Sequence, residues 1–360
     1  MTPTARSLAL LALAACNAPA PAPPPPAPAP KPALPRPAPQ QRSLDAVARN
    51  AECVACHADI ADEWQTSLHR EAYTNREFQH SLRHEPLPFC RGCHAPEADA
   101  RRPEPALAEL GVACVTCHLP DGDAVLSALP ADAPHRADHP VLRTPSFARP
   151  QACAGCHEFP FPDRRPEPEY MQTTLREHAA SAHAERSCAD CHMPRAADGH
   201  RTHNFSASRD EAWMRSVVDI TAARPAANRI ELTLDLRDDL VGHAFPTGDL
   251  MRRLTAQVEP ARPGRKTPDR RYLTRHWKTA RVGNGPVVRT EDRDDRLHPG
   301  ESPRVLTFDL SPEDAALPIR WRVDYERVES FVGPSDDGAI VVGGLHLAGG
   351  TLPPPTPDGA

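Results

Sequence analysis

The spacing of apolar and polar residues changes character near residue 210. Before this point the segments look helical or irregular. Within residues 59–83, Ile60, Trp64 and Leu68 recur at every fourth position and neither Pro nor Gly intervenes, which predicts a helix over this range. A second helix is predicted over residues 167–184. We therefore expect the first half of the chain to be helical, with hardly any strand.

After residue 210, apolar and polar residues alternate with a period of two, the pattern of half-buried strands. It predicts five strands, over residues 217–220, 229–234, 254–258, 305–310 and 319–325. Residues 263–296 are dense in Arg and Asp and favour no particular element. Short strands separated by turns of Pro, Gly and Asp are typical of a β-sandwich. The predicted fold class is thus an α-helical or irregular domain followed by an all-β, sandwich-like domain.

The composition indicates that the side chains alone provide little apolar volume for a hydrophobic core. Only 39% of residues are hydrophobic and 5% aromatic, below the usual share for a globular chain. Proline accounts for 44 of 360 residues, against an ordinary share of about 5%. Part of this excess lies in Ala-Pro repeats over residues 18–40. Such repeats favour extended polyproline II and offer no face to bury, so we expect residues 16–42 to form an unfolded spacer.

Length and charge patterns exclude two classes of protein. The longest apolar run near the N-terminus, residues 8–16, is far short of the roughly 20 residues that a membrane-spanning helix needs, and no later run comes close to that length. The formal net charge is −6, and Arg is interleaved with Asp and Glu rather than gathered in a basic block. We therefore expect neither an integral membrane protein nor a nucleic-acid-binding protein.

Cysteine carries the chemical signal. Ten of the eleven cysteines form five pairs of identical Cys-x-x-Cys spacing, and a histidine directly follows each pair. The motifs are Cys53/Cys56/His57, Cys90/Cys93/His94, Cys114/Cys117/His118, Cys153/Cys156/His157 and Cys188/Cys191/His192. Cys-x-x-Cys-His is the attachment site of c-type haem, in which two thiols form thioethers with the porphyrin and the imidazole is the proximal ligand of the iron. The sequence therefore predicts five haem c groups. Their porphyrins would also supply the apolar volume that the side chains of the core lack.

Other uses of paired cysteines fit this pattern poorly. A four-coordinate zinc site takes two pairs, so five pairs leave one over, and the adjacent histidine has no role in that geometry. A thioredoxin-like dithiol needs one such motif between a strand and a helix. A disulfide within each pair would close a strained, very small ring.

The remaining cysteine, Cys16, belongs to an N-terminal export signal. Residues 1–15 combine Arg6, an apolar stretch and a small-residue end, which is typical of a signal peptide. The segment resembles a bacterial lipobox. This resemblance implies that Cys16 is the first mature residue and carries a lipid anchor, and Asn17 implies the outer membrane. The alternative is that Cys16 is an ordinary residue of the signal peptide.

These features divide the chain into five parts. They are a signal peptide at 1–15, a lipid-anchored Pro/Ala-rich linker at 16–42, a pentahaem cytochrome c domain at 43–210, a β-sandwich domain at 211–349 and a disordered tail at 350–360. We expect the mature protein on the periplasmic or cell-surface side of the outer membrane, since covalent haem attachment of this kind takes place outside the bacterial cytoplasm.

The second axial ligand of each iron decides the function. A strong second ligand closes the iron for electron transfer, whereas an open position admits a substrate. Met is scarce, and Met193 follows His192 too closely to reach the far face of its haem. Histidines outside the motifs are more numerous than five irons require. They are His69, His80, His84, His135, His139, His178, His183, His200 and His203, with His243 just beyond the haem segment.

Several of these segments resemble the multihaem cytochromes c grouped with the nitrification tetrahaem cytochrome and the pentahaem nitrite reductases. Over residues 50–208 the likeness is carried by Trp64-Gln65-Thr66-Ser67-Leu68-His69, Phe89-Cys90-Arg91-Gly92-Cys93-His94-Ala95-Pro96, Gly111-Val112-Ala113-Cys114-Val115-Thr116-Cys117-His118, Met171-Gln172-Thr173-Thr174 and Cys188-Ala189-Asp190-Cys191-His192-Met193-Pro194. The run Val-Gly-His-Ala-Phe-Pro-Thr-Gly at 241–248, with Arg252-Arg253, resembles a turn motif in the β-domain appended to many such cytochromes. The resemblance implies His69, His139, His203 and His243 as distal ligands, with the fifth among His80, His84, His178 and His183.

The favoured function is that of an electron carrier. Five low-potential, mostly bis-histidine haems would relay electrons between other redox proteins, and no residue is expected to be catalytic. Cys-x-x-Cys-Lys, which marks the active haem of the resembling nitrite reductases, is absent from the sequence. The alternative is a reductase of a nitrogen or sulfur oxyanion, with one open-coordinate haem beside arginines such as Arg91, Arg195 or Arg201. A third hypothesis is a scaffold whose β-domain binds a partner cytochrome. A sandwich fold by itself neither supports nor opposes this hypothesis.

Overall fold

The structure is a computed structural model. It describes residues 34–38, 40–42, 45–120, 124–129, 137–162, 166–208, 210–262, 268–281, 287–329 and 337–355. All of them belong to one compact unit, residues 33–360. Within these ranges, no helix is both long enough and apolar enough to cross a membrane.

Short helices make up the first half of the described chain. They are α1 (Ala46–Cys56), α2 (Ala58–Gln65), α3 (Arg76–His84), α4 (Pro88–His94), α5 (Pro105–Ala108), α6 (Cys114–His118), α7 (Gln151–His157), α8 (Thr174–Ala179), α9 (Ala189–His192) and α10 (Glu211–Ser216). Single 3-10 turns occur at Pro145–Ala148, Ser206–Ser208 and Asp314–Ala316.

The single helix predicted over residues 59–83 is wrong, because α2 and α3 are separate helices with a turn between them. Buried Ser67 lies in this turn, and its hydroxyl donates to the carbonyl of Trp64 at 2.7 Å. Asn75 begins α3, since its side chain accepts hydrogen bonds from two N–H groups of the first helical turn. Such side-chain bonds to the backbone compete with helix continuation, and the spacing of apolar residues does not register them.

The helix predicted over residues 167–184 is wrong after Ala179, where α8 ends, and in its first part. Strand β4 (Tyr170–Thr173) occupies that part and pairs antiparallel with β3 (Glu158–Pro160), so that α8 begins only after it. Two further short strands, β1 (Val125–Ser127) and β2 (Val141–Arg143), pair in parallel. The first half therefore contains strands too short for an alternating pattern to reveal.

The five strands predicted after residue 210 are confirmed, and the described residues contain four more. The nine are β5 (Val218–Ala226), β6 (Arg229–Leu236), β7 (Arg252–Pro260), β8 (Asp269–Leu273), β9 (Arg275–Arg281), β10 (Val287–Asp294), β11 (Arg304–Asp309), β12 (Ile319–Glu329) and β13 (Ile340–Leu352). Charged residues obscure the alternation in β8, β9 and β10. Strand β13 continues through residues 350–352, so a disordered tail beginning at residue 350 is wrong for these three residues; residues 356–360 lie outside the described part.

Two antiparallel sheets pack around a common core. One has the strand order β13-β12-β7-β8 and the other β11-β6-β5, while β9 and β10 form a separate pair. Leu232 and Phe308 of the smaller sheet share one apolar cluster with Leu254 and Val323 of the larger, and each is at most 1% exposed. Sheets that bury their inner faces against each other form a sandwich. The predicted fold class, a helical region followed by a β-rich region, is confirmed.

Part of the Pro/Ala-rich segment is packed rather than unfolded. We call residues 34–38 the strap. Ala38 is 6% exposed, and its N–H donates to the carbonyl of Gly92 at 2.9 Å. At Gly155, an added Cβ would lie 2.5 Å from the carbonyl oxygen of Pro35. Both glycines are the third residue of a Cys-x-x-Cys pair, so the strap crosses two motifs at positions that lack a side chain. The predicted unfolded spacer is wrong for the strap, and residues 16–33 lie outside the described part.

Candidate haem-binding site

Each Cys-x-x-Cys-His motif lies at the end of a helix. Helices α4, α6, α7 and α9 end at the motif histidine, and α1 ends at Cys56, one residue before His57. Residues three apart on a helix lie on the same face, so the two thiols of a motif are presented on one side. Two sulfurs and one imidazole presented together are the donor set that covalent haem attachment requires.

The five motifs lie close to one another. Thiols of different motifs lie close enough to shift each other's pKa, which places the first motif beside the third, the second beside the fourth, and the fourth beside the fifth. The pairs are Cys53 with Cys114, Cys93 with Cys156, and Cys153 with Cys188. The charge of Cys156 also raises the pKa of Cys117 beyond the effect of burial, to about 12, which places the third motif near the fourth. The fourth motif is therefore the common neighbour of the second, third and fifth.

Four motif histidines are each faced by a histidine from elsewhere in the chain. The distances between ring centroids are 6.4 Å for His57 and His139, 6.2 Å for His157 and His69, 6.3 Å for His118 and His203, and 6.1 Å for His192 and His243. The histidines implied as distal ligands therefore each face one motif. His139 faces the first motif, His203 the third, His69 the fourth and His243 the fifth.

These distances fit an iron ion held between the two rings. A metal–imidazole bond is about 2 Å long and the ring centroid lies about 1.1 Å beyond the nitrogen, so two imidazoles on opposite sides of one ion have centroids about 6 Å apart. Aromatic rings in direct contact also have centroids about 4.5–7 Å apart, so it is the Cys-x-x-Cys pair adjoining each motif histidine that indicates an iron between these rings. The donor set at four motifs therefore fits a haem iron with two axial imidazoles.

Hydrogen bonds to backbone carbonyls fix the proton on the Nδ1 atom of several of these rings. A carbonyl oxygen only accepts, so Nδ1 donates and the lone pair remains on Nε2, free for a metal. The Nδ1-to-oxygen distances are 2.7 Å from His94 to Ala72, 2.8 Å from His118 to Leu126, 2.7 Å from His203 to Arg201 and 3.1 Å from His243 to Ala244.

Five of these histidines are in the state that binds metal. Burial lowers the pKa of His69 to about 3 and that of His192 to about 4, and it also lowers the pKa of His118, His157 and His243. These imidazoles are neutral at physiological pH, and only the neutral ring has a nitrogen lone pair for iron. The Nδ1 atom of His69 is also buried with no hydrogen-bond partner in the described part of the protein.

The second motif differs from the other four. The ring of His94 stacks on Phe78, with centroids 3.8 Å apart and planes inclined by 8°, and a phenyl ring has no lone pair for a metal. Burial lowers the pKa of His94; the hydrogen bond to Ala72 and the charge of Asp249 act against this, while the charges of Arg252 and Arg327 add to it. Among the described residues, no second imidazole faces His94 across an iron-sized gap.

The four remaining candidates for a fifth distal ligand have other surroundings. His80 and His84 lie against Glu329. His183 donates from Nε2 to the carbonyl of Asp238 at 2.7 Å, and buried His178 adjoins Gly242. None of the four is brought to His94 by the described contacts. His135 and the lipidation candidate Cys16 lie outside the described residues.

A buried carboxylate holds the turn that carries His243. Glu177 on α8 accepts hydrogen bonds from the N–H of Ala244 at 3.2 Å and from the hydroxyl of Thr247 at 2.8 Å. Arg296 donates to the same carboxylate at 2.7 Å. The run at 241–248, which resembled a turn motif in the sequence, is thereby fixed against the helical half with His243 opposite His192.

Sequence reasoning missed Glu177, Phe78 and Glu329. Each is a single residue outside any motif, and its role depends on a partner distant in sequence, so no local pattern reveals it. The arginines named as anion donors have other partners: Arg91 donates to the carbonyl of Ala100, Arg195 to that of Gly199, and Arg201 to those of Ala189 and Met193.

The helical half carries five Cys-x-x-Cys-His motifs, four of which face a second imidazole. Residues 52–119, which contain the first three motifs, match the family model described as cytochrome c554 and c-prime. No curated protein matches the chain. The family match supports haem c as the cofactor and electron transfer, with redox partners, as the class of function.

Proposed function

We propose that the protein is an exported, lipid-anchored pentahaem cytochrome c that relays electrons between redox partners. The observation that carries this proposal is the set of four facing imidazole pairs, with centroids 6.1–6.4 Å apart. Haem supplies one-electron chemistry when bound. An iron with an imidazole on each side has no position for a substrate, so such a site is suited to electron transfer.

The contacts between motifs support a relay. The first motif lies beside the third, the third near the fourth, and the fourth beside both the second and the fifth. With a haem held at each motif, this arrangement would give electrons a path from the first motif to the fifth through the third and fourth, with the second motif as a branch from the fourth. This route requires no movement of the chain.

The protein's own residues tune the iron sites. Backbone carbonyls that accept from Nδ1 of His118, His203 and His243 orient these rings. Such outer hydrogen bonds also raise the basicity of an imidazole ligand, which favours the oxidised metal and hence a low potential. At the four paired motifs of the described chain the facing side chain is an imidazole rather than a thioether, which agrees with the low-potential class.

The compartment is proposed from the sequence. The signal-like residues 1–15 and the lipobox-like Cys16 support export and anchoring at the outer membrane. The Pro/Ala-rich residues that follow give a spacer between the anchor and the strap. Donor and acceptor are other redox proteins on the outer side of the cytoplasmic membrane.

Mass spectrometry and electron paramagnetic resonance of the purified ferric protein test the proposal. Five covalent haems and at least four low-spin signals of bis-imidazole type are expected. A mass equal to that of the bare polypeptide, or a mainly high-spin spectrum, would contradict it. Globomycin treatment, which blocks lipoprotein signal cleavage, should leave an unprocessed precursor if Cys16 is lipidated, whereas a Cys16→Ser variant should be released from the membrane fraction.

A second candidate function has support from the second motif. His94 stacks on Phe78 rather than facing another imidazole, and the charges of Asp249, Arg252 and Arg327 act on it. With an open iron at this motif, Arg252 and Arg327 would be the cationic groups near a bound anion such as a nitrogen or sulfur oxyanion. The test is addition of nitrite, sulfite, cyanide or carbon monoxide. A high-spin fraction equal to one haem that shifts with these ligands supports a reductase, and a wholly low-spin spectrum that ignores them contradicts it.

A further inference from the structure

Two histidines and a glutamate form a cluster that is separate from the four facing imidazole pairs. His80 and His84 lie one turn apart on α3, and Glu329 is the last residue of β12. Nδ1 of His80 lies 2.9 Å from Oε1 of Glu329, and Nε2 of His84 lies 3.5 Å from Oε2. The Nε2 atoms of the two histidines are 3.3 Å apart. None of the three residues belongs to a haem-binding motif.

The carboxylate of Glu329 has an unsatisfied atom at this place. Its side chain is only 10% exposed. Oε1 is within 2.9 Å of His80 and 3.4 Å of the Ser81 hydroxyl. Oε2 is buried and makes no hydrogen bond in the described part of the chain, since His84 at 3.5 Å is farther than a normal hydrogen bond allows. Buried polar atoms almost always have a partner, so this oxygen points to a ligand that the described residues do not provide.

We propose that His80, His84 and Glu329 bind a divalent first-row transition cation. One ligand atom from each residue lies within 4.8 Å of the others. Ligand atoms on a tetrahedral ion with bonds of about 2 Å are about 3.3 Å apart. The side chains of His80 and His84 are 34% and 47% exposed, so small rotations of their rings can bring the ligand atoms to this separation. Two imidazoles and one carboxylate suit Zn²⁺, Cu²⁺, Ni²⁺ or Fe²⁺, whereas Mg²⁺ and Ca²⁺ prefer all-oxygen sites. A fourth position remains for water.

The cation would join two parts of the chain that are far apart in sequence. Helix α3 carries both imidazoles and lies among the haem motifs, while β12 belongs to the larger sheet of the β-rich region. The same helix end is already tied to the β-rich region by Glu85, which pairs with Arg289 at 3.3 Å. Bound metal therefore strengthens an existing contact, and the protein is expected to unfold at a higher temperature with zinc than with a chelator.

Isothermal titration of Zn²⁺ into the tag-free, haem-loaded protein tests the site. One zinc per chain is expected in the wild type. Removing one ligand in H84Q or E329Q is expected to weaken binding by more than about tenfold. The matched control is H346Q, which alters another half-exposed histidine beside a carboxylate, Asp324 at 3.0 Å, and it should bind zinc like the wild type. No zinc uptake, or an equal loss in H346Q, would overturn the proposal.

X-ray absorption at the zinc edge gives a second readout that iron does not disturb. Two imidazoles and oxygen ligands at about 2.0–2.1 Å are expected in the wild type, with one imidazole lost in H84Q. The visible spectrum of H80Q and H84Q must keep the wild-type proportion of low-spin haem. If either variant converts a haem to high spin, that histidine is an iron ligand and the proposed site is wrong. This outcome is independent of whether the haems serve electron transfer or catalysis.

Discussion

The carboxylate of Glu177 and the guanidinium of Arg296 lie 2.7 Å apart, and their side chains are only 6% and 5% exposed. Burial alone would raise the pKa of Glu177, but the charge of Arg296 and hydrogen bonds from Thr173 and Thr247 lower it overall. The carboxylate is therefore ionised, and it fixes both the turn of His243 and the contact between the helical and β-rich regions.

Replacing Arg296 by Met should destabilise the protein strongly. The substitution leaves the carboxylate of Glu177 buried without its counter-charge, which costs about 3–5 kcal/mol. Urea unfolding of the haem-loaded protein measures the loss. Arg229→Met is the control, because Arg229 pairs with Asp309 at the surface, with side chains 52% and 73% exposed, and such pairs contribute less than about 1 kcal/mol. Similar free energies of unfolding for the two variants would contradict a special role of the buried pair.

Replacing His203 by Gly should change the spin state of one haem. His203 faces His118 at 6.3 Å, so its removal opens one axial position at the third motif. Electron paramagnetic resonance is expected to convert one low-spin signal to high spin, and added imidazole should restore it by occupying the space. His346→Gly, at a histidine of β13 that lies beside Asp324 rather than a motif histidine, should leave the spectrum unchanged. An unchanged spectrum in the His203 variant would mean that another group holds that position.

The parts of the protein that could be predicted from the sequence are those encoded locally. Haem attachment follows from five contiguous motifs, and strands such as β6 follow from alternation within a few residues. The partners of these elements depend on the fold. His69 follows the first motif but faces His157 of the fourth, and Glu177 meets Arg296 more than a hundred residues later. The strap was mispredicted because Ala-Pro repeats have no face to bury, and its close approach to Gly155 depends on the fold rather than on any local pattern.

Replacing Gly155 by Ala should displace the strap. The added Cβ would lie 2.5 Å from the carbonyl oxygen of Pro35, and relieving such a clash typically costs about 1–3 kcal/mol. Hydrogen exchange at the N–H of Ala38 should become faster, and the free energy of unfolding should fall. Gly92→Ala is the matched control, since its Cβ would lie 3.5 Å from the nearest strap atom, an ordinary contact. Equal exchange rates in the two variants would show that the strap does not depend on the absence of a side chain at Gly155.

The stability of the β-rich region should depend on pH through His298. Nε2 of His298 lies 3.3 Å from Oδ2 of Asp294, and this hydrogen bond raises the pKa of His298. The folded state therefore binds the proton more tightly than the unfolded chain, in which the pKa of histidine is about 6.5. The resulting stabilisation is complete below that value and is lost as the pH rises through the higher pKa of the folded state.

Comparison of the wild type with His298→Gln isolates this contribution. The difference in their free energies of unfolding should be largest near pH 5.5 and should shrink steadily above about pH 6.5, because the wild type alone loses a proton-linked interaction over that range. Urea unfolding of both haem-loaded proteins at several pH values provides the measurement. Titrations common to the two proteins, including those of the haem propionates, cancel in the difference. Curves that stay parallel from pH 5.5 to 8.5 would mean that the Asp294 pairing does not favour the charged imidazole, and the stability of this region would then rest on Arg296 as the cationic partner of Asp294, 2.6 Å away.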